Sequence, residues 1–485
     1  MSAEPVGVTT AGRVRGRREQ ETDVFLGIPY AAPPSGSDRF GPPRPPEPWS
    51  GVRDALVDGA TAPQPHRQFT LIPEPVIPGD DCLNLNVFTP DRGDVRLPVL
   101  VWIHGGGFVA GCNASPWYRG HRFARDGVVV VSLNYRLGIE GFLTIEDAPA
   151  NRGVLDLLAG LEWVHDNIAR FGGDPAQVTI AGQSAGGVAC GALLATPRAR
   201  GLFGRAVLMS GAGQGLTSVE GGEAQARVVG RFVEAPTTRA GLAGVPMDRL
   251  FEAQDDLDRR RRREGLPVML GPVVDGELVT TEVVDAVRSG ATDDVPLLVG
   301  TTLEEANAAA EGAVGDLDED RLRRRLARTG LDGDAAETFI AAHAGRSRAQ
   351  ALGQAMTDSM FRMPAAHMAE ERARAGAPVQ AYELTWRSTI AGLGAVHCLD
   401  VPFVFDVLDA AGVEEVTGPA PPQSLADAMH GAWVGFVRDG DAGWPRYELD
   451  TRSVMAFDDP PELRSDVWQL PRTLWPLGEP VDGPV

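Results

Sequence analysis

Residues 178–187, Val-Thr-Ile-Ala-Gly-Gln-Ser-Ala-Gly-Gly, decide the fold of this 485-residue chain. An apolar, β-branched run typical of a buried strand precedes the serine, and a stretch able to form an apolar helix follows it. Gly182 to Gly186 form a GxSxG motif in the strand–turn–helix context that the motif requires. On such a tight turn the serine hydroxyl stands clear of the backbone, and small flanking residues avoid a clash. We therefore predict a nucleophile at Ser184; the alternative is a glycine-rich turn without chemistry.

A second glycine-rich segment lies upstream, where His104-Gly-Gly-Gly-Phe108 follows another apolar run. Glycines leave backbone N–H groups uncovered, and acyl transfer needs such donors for the oxygen that becomes negative in the tetrahedral intermediate. We predict that this oxyanion hole is formed by the N–H groups of Gly106, Gly107 and Ala185, the residue after the serine. The alternative is an ordinary turn, and His104 is expected to be a structural hydrogen-bonding residue of that turn.

The rest of the chain alternates strand-like and helix-like segments. Continuous apolar runs indicate strands covered on both faces, and they lie at residues 99–104, 128–133, 178–182, 206–209, 296–300 and 379–386. Residues 153–170 carry apolar side chains at helical spacing. The alternation predicts an α/β fold with helices on both sides of a sheet, in one domain spanning 1–485. The first 90 or so residues, rich in proline and glycine, favour short strands and loops. Residues about 215–295 and 310–375 read as helical insertions above a site.

Composition excludes several functions. The formal net charge of −21 disfavours binding to nucleic acid or to an anionic membrane, and no apolar run reaches the ~18–20 residues of a membrane span. The basic run Arg259 to Arg263 follows several aspartates and reads as a solvated helix face. The four cysteines are widely spaced and form no CxxC pair, so no metal or cofactor is expected. We expect a cytoplasmic protein, since no secretory signal is visible at its N-terminus.

Several motifs together resemble the type-B carboxylesterase/lipase family, which includes bacterial nitrobenzyl esterases, liver carboxylesterases and cholinesterases. They are the glycine turn, the serine motif, and residues 25–34 (FLGIPYAAPP), 81–88 (DCLNLNVF), 134–138 (NYRLG), 151–156 (NRGVLD), 171–175 (FGGDP), 433–440 (WVGFVRDG) and 444–447 (WPRY). The likeness extends over nearly the whole chain. It implies an α/β-hydrolase fold with a large, mostly parallel central sheet, and helical insertions that form the walls of a gorge.

The resemblance also implies the partners of the serine. The second glutamate of Gly300-Thr-Thr-Leu-Glu-Glu305 corresponds to the family's acid, whereas Glu304 is expected to be solvated. The family's histidine corresponds to His397, and Ser210 to a serine that supports the family's site without being a nucleophile. The alternative for Glu305 is that it is an acidic residue on the surface of a helix. A buried structural role is the alternative for His397, with His66, His104 and His430 as other candidates for the base.

Two departures from the family pattern stand out. Gln183 precedes the serine where the family often has glutamate, and the missing charge should weaken attraction for cationic substrates. Secreted relatives pair the cysteine at position 82 with one upstream, but no cysteine precedes Cys82 here, so an unpaired thiol is expected.

The implied function is serine esterase chemistry through an acyl-enzyme, acting on a small-molecule ester. An amidase, a carbamate hydrolase or an acyltransferase would use the same residues, because pocket shape sets the leaving group and the acceptor. A non-catalytic interaction module of the same family is a remote alternative. The oligomeric state stays open between monomer and homodimer. Candidate wall residues, each also readable as ordinary core, are Phe69, Leu71, Met269, Leu270, Phe361 and Met363.

Overall fold

The strands of the chain are short and mostly buried. A computed structural model describes residues 4–65, 71–90, 96–264, 270–314 and 317–476. In chain order the strands are β1 Val6–Val8, β2 Arg13–Arg15, β3 Arg17–Glu19, β4 Thr22–Pro29, β5 Val52–Asp54, β6 Asn84–Thr89, β7 Leu97–Ile103, β8 Val129–Leu133, β9 Gly173–Gln183, β10 Arg205–Met209, β11 Thr217–Ser218, β12 Val273–Val274, β13 Leu297–Thr302, β14 Val379–Leu384, β15 Ser453–Phe457 and β16 Glu462–Ser465.

Helices fill the segments between the later strands. They are α1 His121–Arg125, α2 Gly138–Phe142, α3 Arg152–Asn167, α4 Ala185–Leu194, α5 Val219–Val233, α6 Arg239–Ala243, α7 Met247–Glu264, α8 Val283–Arg288, α9 Asn307–Val314, α10 Glu319–Ala327, α11 Gly333–Ala342, α12 Arg348–Thr357, α13 Met363–Arg374, α14 Val401–Val404, α15 Glu414–Thr417, α16 Gln423–Asp439 and α17 Gln469–Leu474. A π-helical turn, Asp358–Arg362, joins α12 to α13. No helix within the described ranges is long and apolar enough to cross a bilayer.

One large sheet organises the molecule. Its strand order is β16-β15-β14-β13-β10-β9-β7-β8-β6-β4-β3. The seven strands from β15 to β8 run parallel, whereas the pairings at the two ends are antiparallel. The predicted large, mostly parallel sheet is therefore confirmed. The carboxyl ends of β9, β10, β13 and β14 meet at one edge, because these four strands are consecutive neighbours.

The sheet is buried on both faces, which explains why its strands read as unbroken apolar runs. Along β7, Val101 and Ile103 belong to one hydrophobic cluster, whereas Leu100 and Trp102 belong to another. Side chains alternate between the faces of a strand, so the two clusters lie on opposite sides of the sheet. Helices α3, α4 and α13 pack on the first side and α16 on the second. Parallel sheets require this double covering.

Helices form most of the two long connections that flank β13. Helices α5 to α8 connect β10 to β13, and α9 to α13 connect β13 to β14. Helix α3 buries the predicted apolar face, which consists of Val154, Leu157, Leu158, Leu161 and Val164. The described part of the first 90 residues forms strands of three to eight residues, a 3-10 turn at Gly36–Asp38 and loops. Strands β3, β4 and β6 join the large sheet.

Candidate active site

The serine motif forms a sharp turn between β9 and α4. Ser184 has φ 57° and ψ −127°, a strained conformation for a residue with a side chain. A Cβ at Gly186 would lie 2.0 Å from the carbonyl oxygen of Ile103, and one at Gly182 would lie 2.3 Å from the carbonyl carbon of Gly186. Glycine is therefore required on both sides by close backbone approach. The half-buried Ser184 stands at the N-terminus of a ten-residue helix.

The acid and the histidine are joined by a short hydrogen bond. His397 Nδ1 lies 2.5 Å from Glu305 Oε2. The other carboxylate oxygen of Glu305 accepts hydrogen bonds from Ser210 Oγ at 2.6 Å and from the Thr302 amide at 2.8 Å. Glu305 is only 4% exposed, so its orientation is fixed from both sides. A carboxylate held in this way fixes the tautomer and the orientation of the imidazole that it faces.

This pair lies beside the serine turn. The Gln183 side-chain nitrogen Nε2 lies 3.3 Å from His397 Nε2, and Gln183 is the residue before Ser184. The Ser184 amide donates to the Met209 carbonyl at 2.8 Å, which places the turn next to Ser210. The structure thus brings the predicted serine, acid and histidine to one edge of the sheet, together with Gln183 and Ser210.

The glycine turn packs directly against the serine. A Cβ at Gly105 would lie 2.7 Å from the Gln183 carbonyl oxygen and 3.2 Å from Ser184 Cβ. Gly106 and Gly107 have φ values of 103° and 64°. Within the described ranges, no backbone carbonyl or side chain accepts a hydrogen bond from the N–H groups of Gly106, Gly107 or Ala185. These three amides are the candidate donors to a ligand oxygen.

His104 is held in the glycine turn itself. Its Nδ1 lies 2.9 Å from the Gly105 carbonyl oxygen, and its ring stacks on Tyr135 with centroids 4.5 Å apart. Burial lowers the pKa of His104 to about 4, so the ring is neutral at physiological pH. His430 instead contacts the Val404 carbonyl and the Asp126 carboxylate. Of the alternative bases, His66 lies outside the described residues.

Burial and charge have opposite effects on His397. Burial lowers the pKa of its imidazole, whereas the Glu305 carboxylate raises it, and the net shift is well above the usual 6.5. Burial also raises the pKa of the Cys398 thiol. The thiol is therefore neutral at physiological pH, and the Glu305 carboxylate is the charge that stabilises the imidazolium.

Comparison with known proteins places the chain in a family. A model of the carboxylesterase family matches residues 3–470. The chain belongs to the carboxylesterase family. The para-nitrobenzyl esterase of Bacillus subtilis (strain 168) is 35% identical over 94% of this chain and 96% of its own length. The phenmedipham hydrolase of Pseudarthrobacter oxydans is 34% identical over 95% and 96%.

Solved structures agree with this membership. The Geobacillus stearothermophilus carboxylesterase EST55 at pH 6.8 superposes with a TM-score of 0.85 at 35% identity, covering 97% of this chain and 99% of that chain. A PNB esterase structure superposes with a TM-score of 0.87 at 33% identity over the same shares. This family member is thus a carboxylic ester hydrolase with the α/β-hydrolase fold.

One expectation about the carboxylesterase site is wrong. Glu304 was expected to be solvated, but it is 7% exposed and forms ion pairs with Arg387 and Arg346. It also accepts a hydrogen bond from the Ala395 amide at 3.2 Å, and its own amide donates to the Ala395 carbonyl at 3.0 Å. Two consecutive glutamates therefore hold the His397 loop, because Glu305 binds the ring and Glu304 binds the backbone. Only the folded chain brings Arg387 and Ala395 to this carboxylate.

The wall candidates have different positions. Phe361, in the π-helical turn, packs on His397 with ring centroids 5.0 Å apart. Leu270 and Met363 are both 2% exposed and belong to the core, and Leu71 is half-buried. Phe69 and Met269 lie outside the described residues. Sequence reasoning did not single out Cys398 for the site, although its position next to the histidine was a signal.

We expect Glu304→Gln to destabilise the fold without abolishing activity. The neutral amide loses the charge that faces Arg387, whose side chain is 55% exposed. The free energy of unfolding should fall by about 1–2 kcal/mol, between the costs of surface and buried ion pairs. Thermal unfolding followed by circular dichroism measures this. Glu277 is exposed, so Glu277→Gln is the control and should melt like the wild type. An unchanged melting temperature for Glu304→Gln would show that Glu304 does not hold the His397 loop.

Proposed function

We propose that the chain hydrolyses carboxylic esters by two-step acyl transfer, with Ser184 as nucleophile, His397 as general base and acid, and Glu305 as its supporting carboxylate. The observation that carries the proposal is the chain of contacts from Ser210 through Glu305 to His397, which ends beside the serine turn. A nucleophile, a base and a group that orients the base are the parts that activate a serine. The substrate is a small-molecule ester.

The first half-reaction forms the acyl-enzyme. His397 Nε2 takes the Ser184 proton while Oγ attacks the ester carbonyl carbon, and the carbonyl oxygen becomes negative. The N–H groups of Gly106, Gly107 and Ala185 stabilise that oxygen. The bond to the alcohol then breaks, and the leaving oxygen takes the proton from His397. The Gln183 amide must move off Nε2 as substrate binds; catalytic hydrogen bonds commonly form fully only in the complex.

The second half-reaction releases the acid. A water gives its proton to His397 and attacks the acyl carbonyl at the same oxyanion site. The proton then returns to Ser184 as the bond to Oγ breaks. Throughout, Glu305 keeps the Nδ1 proton in place and stabilises the imidazolium.

The triad residues do not set the substrate class. Relatives carry the names para-nitrobenzyl esterase, phenmedipham hydrolase and, in Sphingopyxis macrogoltabida, fumonisin B1 esterase. We infer that pocket shape sets the leaving group here as well. Rates on a matched p-nitrophenyl ester, p-nitroanilide and p-nitrophenyl carbamate test this. The ester should be turned over fastest. Faster turnover of the anilide or the carbamate would replace esterase with amidase or carbamate hydrolase.

The pH profile should show an acid limb above the usual histidine range. The base must be neutral to accept the serine proton, and the net shift in the pKa of His397 is upward. Activity is therefore lost as pH falls through this raised pKa. We expect kcat/KM for p-nitrophenyl butyrate to rise with pH with a midpoint above about 6.5. A midpoint below about 6 would contradict the pairing of His397 with Glu305.

A further inference from the structure

Cys398 follows the candidate base in an unusual backbone conformation. Its φ is 70°, in the left-handed region that disfavours residues with a Cβ. The residue is 7% exposed, and its thiol is free, like those of Cys82, Cys112 and Cys190. The acyl-transfer mechanism makes no use of this thiol. Its contacts show what it can do there.

The thiol contacts the Gln183 amide. Cys398 Sγ lies 3.3 Å from Gln183 Oε1 and donates its proton to that oxygen. The amide nitrogen then faces His397 Nε2 at 3.3 Å. Since His397 Nδ1–H donates to Glu305, Nε2 carries the lone pair and accepts from the amide. These three hydrogen bonds form a row from Cys398 to Glu305. In this row the thiol donates to the amide oxygen, the amide N–H donates to Nε2, and Nδ1–H donates to the carboxylate.

With the amide in this orientation, the row suits the neutral form of the ring. In the imidazolium both ring nitrogens are donors, so Nε2–H would point at the amide N–H of Gln183. A hydrogen bond to the neutral form disfavours the charged form. A glutamate at position 183 would reverse this effect, because its carboxylate would accept from the imidazolium.

We propose that Gln183 and Cys398 are positioning residues that hold the His397 imidazole neutral, with its Nε2 lone pair bound to the Gln183 amide until substrate displaces that amide. The proposal rests on the proposed function, since it presumes that His397 is the general base. The expected consequence concerns the acid limb of kcat/KM. Its midpoint should lie at lower pH than it would with a carboxylate at position 183. Cys398 acts only through the orientation of the Gln183 side chain.

The other groups around the ring are accounted for. Glu305 faces Nδ1, and the Phe361 ring packs on the imidazole without charge. Asp400 is buried near the pair and accepts from the Tyr382 hydroxyl at 2.9 Å. Burial raises the pKa of Asp400 to about 7, and Glu305 acts in the same direction. Glu304 is held by Arg387 and Arg346, away from the ring. Variants at 183 and 398 leave all of these in place.

The test is the midpoint of the acid limb of kcat/KM, together with the pH dependence of inactivation by an organophosphonate, which needs no turnover. Gln183→Glu should raise both midpoints by about 1 pH unit, the smaller end of the effect of a close opposite charge. Gln183→Met removes the donor without adding a charge and should give a smaller upward shift. If Gln183→Glu leaves the midpoints unchanged, the proposal is overturned.

Three variants at position 398 separate the thiol from the backbone. Cys398→Ser keeps a donor and should keep the wild-type midpoint. Cys398→Ala and Cys398→Gly both remove the donor and should shift the midpoint upward. Cys398→Gly also suits the positive φ and should melt no lower than the wild type. An unshifted limb in the glycine variant excludes Cys398 from the row. A Ser184→Ala enzyme that retained activity would instead overturn the proposed function, so the two failures are distinguishable.

Discussion

Ser184→Ala should lower kcat/KM for p-nitrophenyl butyrate by a factor of about 10⁴–10⁶. Alanine has no hydroxyl to attack the ester, so only binding and the oxyanion donors remain to accelerate attack by water. Alanine and serine both carry a Cβ, so the strained φ of 57° at this position costs about the same free energy for either residue. The substitution should therefore leave the turn intact. Initial rates at saturating and subsaturating substrate measure the loss.

The control for this variant is another serine with the same change. Ser289 is exposed, and its hydroxyl donates a hydrogen bond to the nearby Ala286 carbonyl. Ser289→Ala should keep the wild-type rate. Retention of more than about 1% of activity by Ser184→Ala would show that another group is the nucleophile.

Glu305→Gln should lower kcat by about 10⁴, as loss of the carboxylate does in serine hydrolases with an aspartate. The glutamine has one oxygen where the carboxylate has two. It can serve either His397 Nδ1–H or the Ser210 and Thr302 donors, but not both. The wrong tautomer or a misplaced ring follows, and the imidazolium loses its counter-charge. KM should change little, since Glu305 is buried behind the histidine.

The neighbouring glutamate gives a matched comparison. Glu304→Gln makes the same chemical change one residue away, where the carboxylate binds Arg387 and the Ala395 amide. Its loss in kcat should be far smaller than that of Glu305→Gln. Equal losses in the two variants would mean that Glu305 supports the loop rather than the imidazole.

The sequence predicted the sheet well because its strands are buried on both faces. The apolar run at 128–133 corresponds to β8 Val129–Leu133, and the run at 206–209 to β10 Arg205–Met209. Continuous apolar runs leave no doubt about burial. Strand ends were less predictable: β9 begins at Gly173, which pairs with Leu97 before the apolar run, and residues 174–177 form an irregularity before regular pairing resumes at Val178.

For the site, the sequence predicted which residue types meet but not how the loops are fastened. The serine and glycine turns could be predicted because tight backbone turns require glycine at particular positions, and such short motifs are visible in the sequence. The resemblance supplied Glu305 and His397. The contact between Glu304 and Arg387 and the row from Cys398 to His397 join residues more than 80 positions apart. A local sequence pattern carries no information about contacts between distant residues. The prediction that Glu304 is solvated was wrong for this reason.

The most direct test of the account traps the covalent intermediate. The enzyme is treated with a p-nitrophenyl phosphonate, and then digested and mapped by mass spectrometry. We expect one phosphonyl group per active chain, on the peptide that contains Ser184, with p-nitrophenol released in the same amount. His397→Ala should slow this labelling as strongly as it slows turnover. Complete inactivation with the label on any other residue, or full labelling without loss of activity, would contradict the account.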